Sequence, residues 1–206
     1  MKMRLFFWSL IISALLLIGF AELAAPLVAS IQPHHTLPVH KTLYLERGIS
    51  EDQMYHILQA SMEWNEATNG QVIFDIKRLP QQNFVPLNAI IIFNVTPDYP
   101  DIILLDNFKN HSTLGYFNND RGLNYIALVD QRITDNDYDT VVMHELGHSL
   151  GLEHPDSEDH PEIGIGTLMH STIDTGSNHI TDFDLKQFCH LYHCDARKYH
   201  GVPEIQ

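Results

Sequence analysis

Two hydrophobic spacings alternate along the chain, one of period two and one close to 3.6. Residues 42–46 alternate and read as a short strand. Ser50 with Gln53 three residues on has the form of a capping box. Met54, Ile57, Leu58, Ser61, Met62 and Asn65 then recur at helical spacing, which predicts a long amphipathic helix over 50–68, ended by Asn69 and Gly70. Residues 72–76 read as a strand, and 89–95 as a more buried one. Residues 96–112, with Pro97, Pro100 and several Asp and Asn, read as a long loop. Two further strands are expected at 114–117 and 125–129, joined by Asn118, Asn119, Asp120, Arg121 and Gly122. An acidic stretch at 135–139 leads into a helix over about 140–150, whose N-terminus those Asp residues can cap. A loop bearing Gly, Pro and His fills 151–179, and a last helix begins near Thr181 and runs to about His193. There is no internal repeat. The mixed order predicts an α+β domain, a twisted mixed sheet of about five strands carrying three main helices.

Ahead of this body the pattern changes. Lys2 and Arg4 precede an uncharged apolar run over 5–20, the layout of a secretory signal, with Gly19, Phe20 and Ala21 as a cleavage site. Apart from Glu22 the apolar character continues to Ile31, so an uncleaved membrane anchor over 5–21 is the other reading. A buried first helix is disfavoured, because the run has no polar face. Residues 22–40, with Pro26, Pro33 and Pro38, read as a linker. The expected divisions are therefore 1–21 as signal or anchor, 22–40 as linker and 41–206 as the folded body. Either reading takes the body out of the cytoplasm, secreted or periplasmic, with a membrane involved only through an uncleaved N-terminal segment.

Charge narrows the partners. Against 12 Lys and Arg stand 26 Asp and Glu among 206 residues, a formal net charge of −14. Without residues 1–21 the balance is 10 to 26, or −16. Such a surface repels phosphate backbones and excludes nucleic acid as the expected partner. The Asp-rich loops 98–106 and 135–139 are candidates for Ca²⁺, although solvated loops and helix caps are the default reading because their spacing matches no calcium motif. Two Cys residues are too few for a disulfide-stapled scaffold.

The chemistry concentrates between residues 144 and 154. His144 and His148 lie four apart, on one face of a helix, and can offer imidazole nitrogens to one ion. Gly151 can take the left-handed conformation that ends a helix and turns the chain back, which would carry His154 to the same ion. Three neutral imidazoles leave a fourth position open on a tetrahedral Zn²⁺, the mark of a catalytic site. Zinc lowers the pKa of its water toward about 7 and polarises a carbonyl. Glu145, beside the first ligand, would take the water's proton and hand it to the departing amine.

At these residues the sequence resembles the metzincin metalloproteases and, within them, the matrixins. The pattern His-Glu-x-x-His-x-x-Gly-x-x-His is complete from His144 to His154. Thr167, Leu168, Met169 and His170 fit the family's Met-turn; the resemblance makes Met169 an apolar floor under the ligands that does not itself bind zinc. It also implies a metzincin-like domain, a monomer, a polypeptide substrate and a sheet-edge strand, Leu114, Gly115, Tyr116 and Phe117, that pairs with that substrate. Ordinary sheet packing is the other reading of Tyr116 and Phe117. The function implied is an exported zinc endopeptidase working by a Glu-assisted zinc-bound water. The alternative is a non-catalytic zinc-containing module that grips or inhibits a peptide.

Departures from the family accompany the match. No Cys precedes Cys189, so latency through a prodomain thiolate is not expected. Pro155 resembles the serralysin branch, yet no Gly-Asp-rich calcium repeats follow and Ser171 stands where that branch has a Tyr. Only His111, with Asp98 or Asp106, is available toward the family's structural zinc, and that site is not expected. Phe183 stands where matrixins often carry an Asp of the closing helix, so the resemblance does not supply that anchor. His34, His35 and His40 read as linker residues. Cys189 and Cys194 can bond only if the last helix ends between them; a buried Cys189 with surface histidines is the other outcome.

Overall fold

The computed structural model describes residues 36–80, 86, 89–95, 113–120, 123–156, 163–172 and 176–199, all within one compact unit, Thr36–Gln206. The signal or anchor, His34, His35, Asp98, Asp106 and His111 lie outside the described residues.

Five strands form one sheet: β1 (Val39–Leu45), β2 (Val72–Arg78), β3 (Ala89–Asn94), β4 (Gly115–Asp120) and β5 (Leu123–Leu128), in the order β2-β1-β3-β5-β4. β1 pairs in parallel with β2 and β3, and β3 with β5, whereas β4 runs antiparallel to β5 and ends the sheet. Helices α1 (Glu51–Ala67), α2 (Tyr138–Ser149) and α3 (Asp182–Tyr192) complete the α+β architecture expected from the pattern. The main core lies between one sheet face and the helices. Leu43, Leu45, Ile90, Ile92, Ile126 and Leu128 meet Ile57 and Trp64 of α1, Val142 and Leu146 of α2, and Phe188 of α3. A smaller cluster groups Phe93, Val95, Ala127 and Val129. Because β3 is buried on both sides, it reads as a continuous apolar run.

Local signals explain the ends of these elements. The Ser50 hydroxyl accepts the Gln53 N–H at 3.1 Å, and Gln53 Oε1 accepts the Ser50 N–H at 2.8 Å, so the capping box starts α1 as expected. Asn69 and Gly70, with φ of 49° and 77°, end it. The buried stripe of α1 is Ile57, Ala60, Ser61, Trp64 and Ala67, and Leu58 and Met62, counted by spacing with the apolar side, are each 44% exposed.

Several boundaries differ from the sequence pattern. β1 starts at Val39, so Val39 and His40, assigned to the linker, pair with Val72 and Ile73. Asn118, Asn119 and Asp120, expected in a connection, sit in the β4 ladder opposite Tyr125, Asn124 and Leu123. An edge strand tolerates polar side chains, and the Asn118 amide donates to the Tyr125 hydroxyl at 2.8 Å. The acidic stretch does not cap α2 by side chain: Asp137 accepts from the Thr134 hydroxyl at 2.6 Å, and Asp139 meets His56 Nδ1 at 2.9 Å. At the other end of the fold α3 stops at Tyr192, His193 takes a left-handed φ of 53°, and Cys189 and Cys194, with Cα atoms 4.5 Å apart, form a disulfide. Among the described residues no helix is long and apolar enough to cross a membrane.

Candidate metal centre

The site is built on α2. The Trp64 indole N–H of α1 donates to the Met143 carbonyl at 3.0 Å and fixes α2 immediately before His144. His144 and His148 share a face, with ring centroids 4.7 Å apart. The helix then closes on Gly151, whose φ is 91°. Its N–H donates to the His148 carbonyl at 2.9 Å and the Leu152 N–H to the Gly147 carbonyl at 3.1 Å, the paired bonds of a left-handed C-terminal cap. The turned chain delivers His154, whose Nε2 lies 2.9 Å from that of His144 and 3.0 Å from that of His148. One nitrogen from each ring thus falls within 4.8 Å of the others, and among the described residues this is the one cluster of three or more candidate ligands.

The protonation of this trio follows from its partners. His144 Nδ1 meets the Leu168 carbonyl at 2.8 Å and His148 Nδ1 the Leu152 carbonyl at 2.8 Å. A carbonyl only accepts, so both Nδ1 atoms carry the proton and both Nε2 atoms present lone pairs. Burial, reinforced by the neighbouring imidazoles, lowers the pKa of His144 to about 3 and of His148 to about 4, and burial lowers that of His154. Neutral imidazoles whose lone pairs converge repel one another unless a cation lies between them. Tetrahedral Zn–N bonds of about 2.0–2.1 Å place ligand nitrogens about 3.3 Å apart, close to what is seen here, so the donor set fits zinc.

Met169 is fully buried, with its Sδ against Gly147 of the helix that carries His144 and His148. Gly147 makes room for it: a Cβ there would come within 2.5 Å of Met169 Sδ and 3.2 Å of the Trp64 ring. The anchor that Phe183 cannot supply comes from the next residue. Asp184 is wholly buried; it accepts the backbone N–H groups of Leu168 at 3.0 Å and Met169 at 3.1 Å, and the Thr181 N–H and hydroxyl at 2.8 and 2.7 Å. The carbonyl of that same Leu168 orients His144. The sequence signal was present in Thr181-x-x-Asp184, which is a capping box, but nothing local says that the carboxylate also holds a distant turn.

Glu145 points toward β4. It is 5% exposed, its Oε2 has no hydrogen-bond partner, and burial raises its pKa to about 8, an effect partly offset by the Phe117 backbone amide facing the carboxylate. The approach depends on Gly115, where a Cβ would stand 2.6 Å from Glu145 Oε1 and 2.9 Å from its Cγ. Leu114 and Phe117 pack against the main core, whereas Tyr116 joins the smaller cluster, its ring 6.5 Å from that of Tyr125. Leu114, just ahead of β4, accepts the Val129 N–H at 2.8 Å. His170, which follows Met169 in the turn, is buried as well, and Cys189 and Cys194 are joined in the disulfide.

Three converging imidazoles on a helix and its glycine turn, set beside a sheet edge, form a cluster that could hold a metal ion. Residues 49–193 match the family model of the matrixins, Peptidase_M10, and the chain belongs to that family of zinc metalloproteases. The solved structure of myroilysin is similar at 14% identity, covering 78% of this chain and 95% of that one with a TM-score of 0.45. No curated protein matches the chain in sequence.

Proposed function

We propose that this chain is a catalytically competent zinc endopeptidase, exported from the cytoplasm, in which His144, His148 and His154 hold the metal and Glu145 is the general base. The observation that carries this reading is the convergence of three Nε2 nitrogens one residue from a buried carboxylate with an unpartnered oxygen. Zinc, when bound, supplies a Lewis acid and a water of lowered pKa. Glu145 accepts a proton at Oε2 and returns it to the leaving amine. An extended polypeptide adds to the outer edge of β4 through main-chain hydrogen bonds, alongside the carboxylate that Gly115 admits. The apolar run at 5–20 behind Lys2 and Arg4 supports export, and the folded body acts as a monomer.

Incubation of the purified chain with unfolded casein tests the activity. Cleavage should stop with a chelator and return with Zn²⁺. Glu145→Gln should keep one zinc per chain and lose turnover about 10²–10⁴-fold. Wild-type protein that holds zinc yet leaves casein intact would instead be a peptide-binding module. The mass of the mature chain from a secreting host tests export: loss of residues 1–21 is expected for a cleaved signal and retention for an anchor.

A further inference from the structure

Two of the three ligand rings are oriented by main-chain carbonyls, whereas His154, carried by a loop, has no partner on Nδ1 among the described residues. A metal-ligating imidazole is ordinarily oriented through its second nitrogen, so the loop itself must be held if its Nε2 is to stay at the shared centre. Two residues on, Asp156 is tied back to the protein. Its Oδ1 accepts the Ser171 backbone N–H at 3.0 Å and its Oδ2 accepts a short hydrogen bond from the Ser171 hydroxyl. His170 Nε2 stands 4.0 Å from the same Oδ2. The Thr172 N–H donates to His170 Nδ1 at 3.2 Å, which leaves the ring proton on Nε2, the nitrogen that faces the carboxylate. His170 and Ser171 follow directly on Met169, so the segment behind the third ligand is laced to the exit of the methionine floor. Between them Pro155 presses on Gly164, where a Cβ would lie 2.2 Å from its Cγ.

The geometry points to Asp156 as the positioning residue of the third metal ligand, acting through Ser171 and His170 to keep the His154 Nε2 beside those of His144 and His148. This rests on the zinc reading above and deepens it. Both Asp156 oxygens are committed to Ser171, so the carboxylate serves as a strap and not as a fourth ligand.

The test compares the wild type with Asp156→Ala, Ser171→Ala, the pair combined, and the conservative Ser171→Thr. Zn²⁺ affinity is read by chelator competition, Co²⁺ coordination by visible absorption, and folding by melting of the chelated protein. Asp156→Ala should weaken Zn²⁺ binding about 10–100-fold. Ser171→Ala should weaken it less, the combined variant no more than Asp156→Ala alone, and Ser171→Thr should bind as wild type. The Co²⁺ spectrum of Asp156→Ala should move toward that of His154→Ala, while the chelated proteins melt together. Unchanged Zn²⁺ affinity in Asp156→Ala, or a loss matched by an equal fall in the melting of the chelated form, would overturn the inference. Wild type that binds Zn²⁺ without cutting casein overturns the peptidase reading and leaves this one standing; wild type that binds no Zn²⁺ overturns both.

Discussion

Helices α1 and α2 lie against each other through Trp64 and are built on opposite plans. α1 buries five of its 17 residues and leaves Tyr55, Leu58 and Met62 in solvent, 44–59% exposed. α2 buries nine of its 12, and the three that keep contact with solvent are Asp139, His144 and His148. An ordinary two-faced helix can spend its outer face on almost any residue. A helix packed on nearly every side reaches water at a few positions only, and a change at any of the others is felt in the core.

That contrast can be broken from either side. The largest effect is expected where α1 stops being a surface helix. Trp64→Ala should cost about 3–5 kcal/mol, seen as a lowered denaturant midpoint, because it empties a fully buried site and removes the bond to Met143. Gly115→Ala comes next. The added methyl must displace the Glu145 carboxylate, so kcat should fall about 10²-fold while zinc content and KM hold. A fall in KM-controlled binding alone would place Gly115 among substrate contacts instead. Leu58→Lys, on the outer face of α1, should shift stability by no more than about 0.5 kcal/mol in the same denaturant assay. A loss as large as that of Trp64→Ala would mean that the outer face of α1 is covered in solution.

What the amino-acid order disclosed follows the range of the interactions. His144, Glu145, His148, Gly151 and His154 are legible because helical geometry and one left-handed glycine relate them over eleven consecutive positions. The strands and α1 are legible through periodicity and caps. Asp184 is not, since its second duty is toward Leu168 and Met169 across a loop. Nor is Gly115, whose missing side chain matters only because α2 brings Glu145 against β4. Asn118 to Asp120 mislead for a different reason: their composition is that of a turn, and only their place at the sheet edge, beside Tyr125, makes them strand.

The Asp184 clasp also bears on when, during synthesis, the three imidazoles can be braced. Synthesis delivers the three imidazoles and the glutamate by residue 154, yet the carboxylate that pins the Met-turn, and through Leu168 the first imidazole, arrives thirty residues later with α3. A nascent chain stalled before that helix would carry every reactive group and lack the brace that aligns them. Under the proposed function, alignment of the cluster therefore waits for α3.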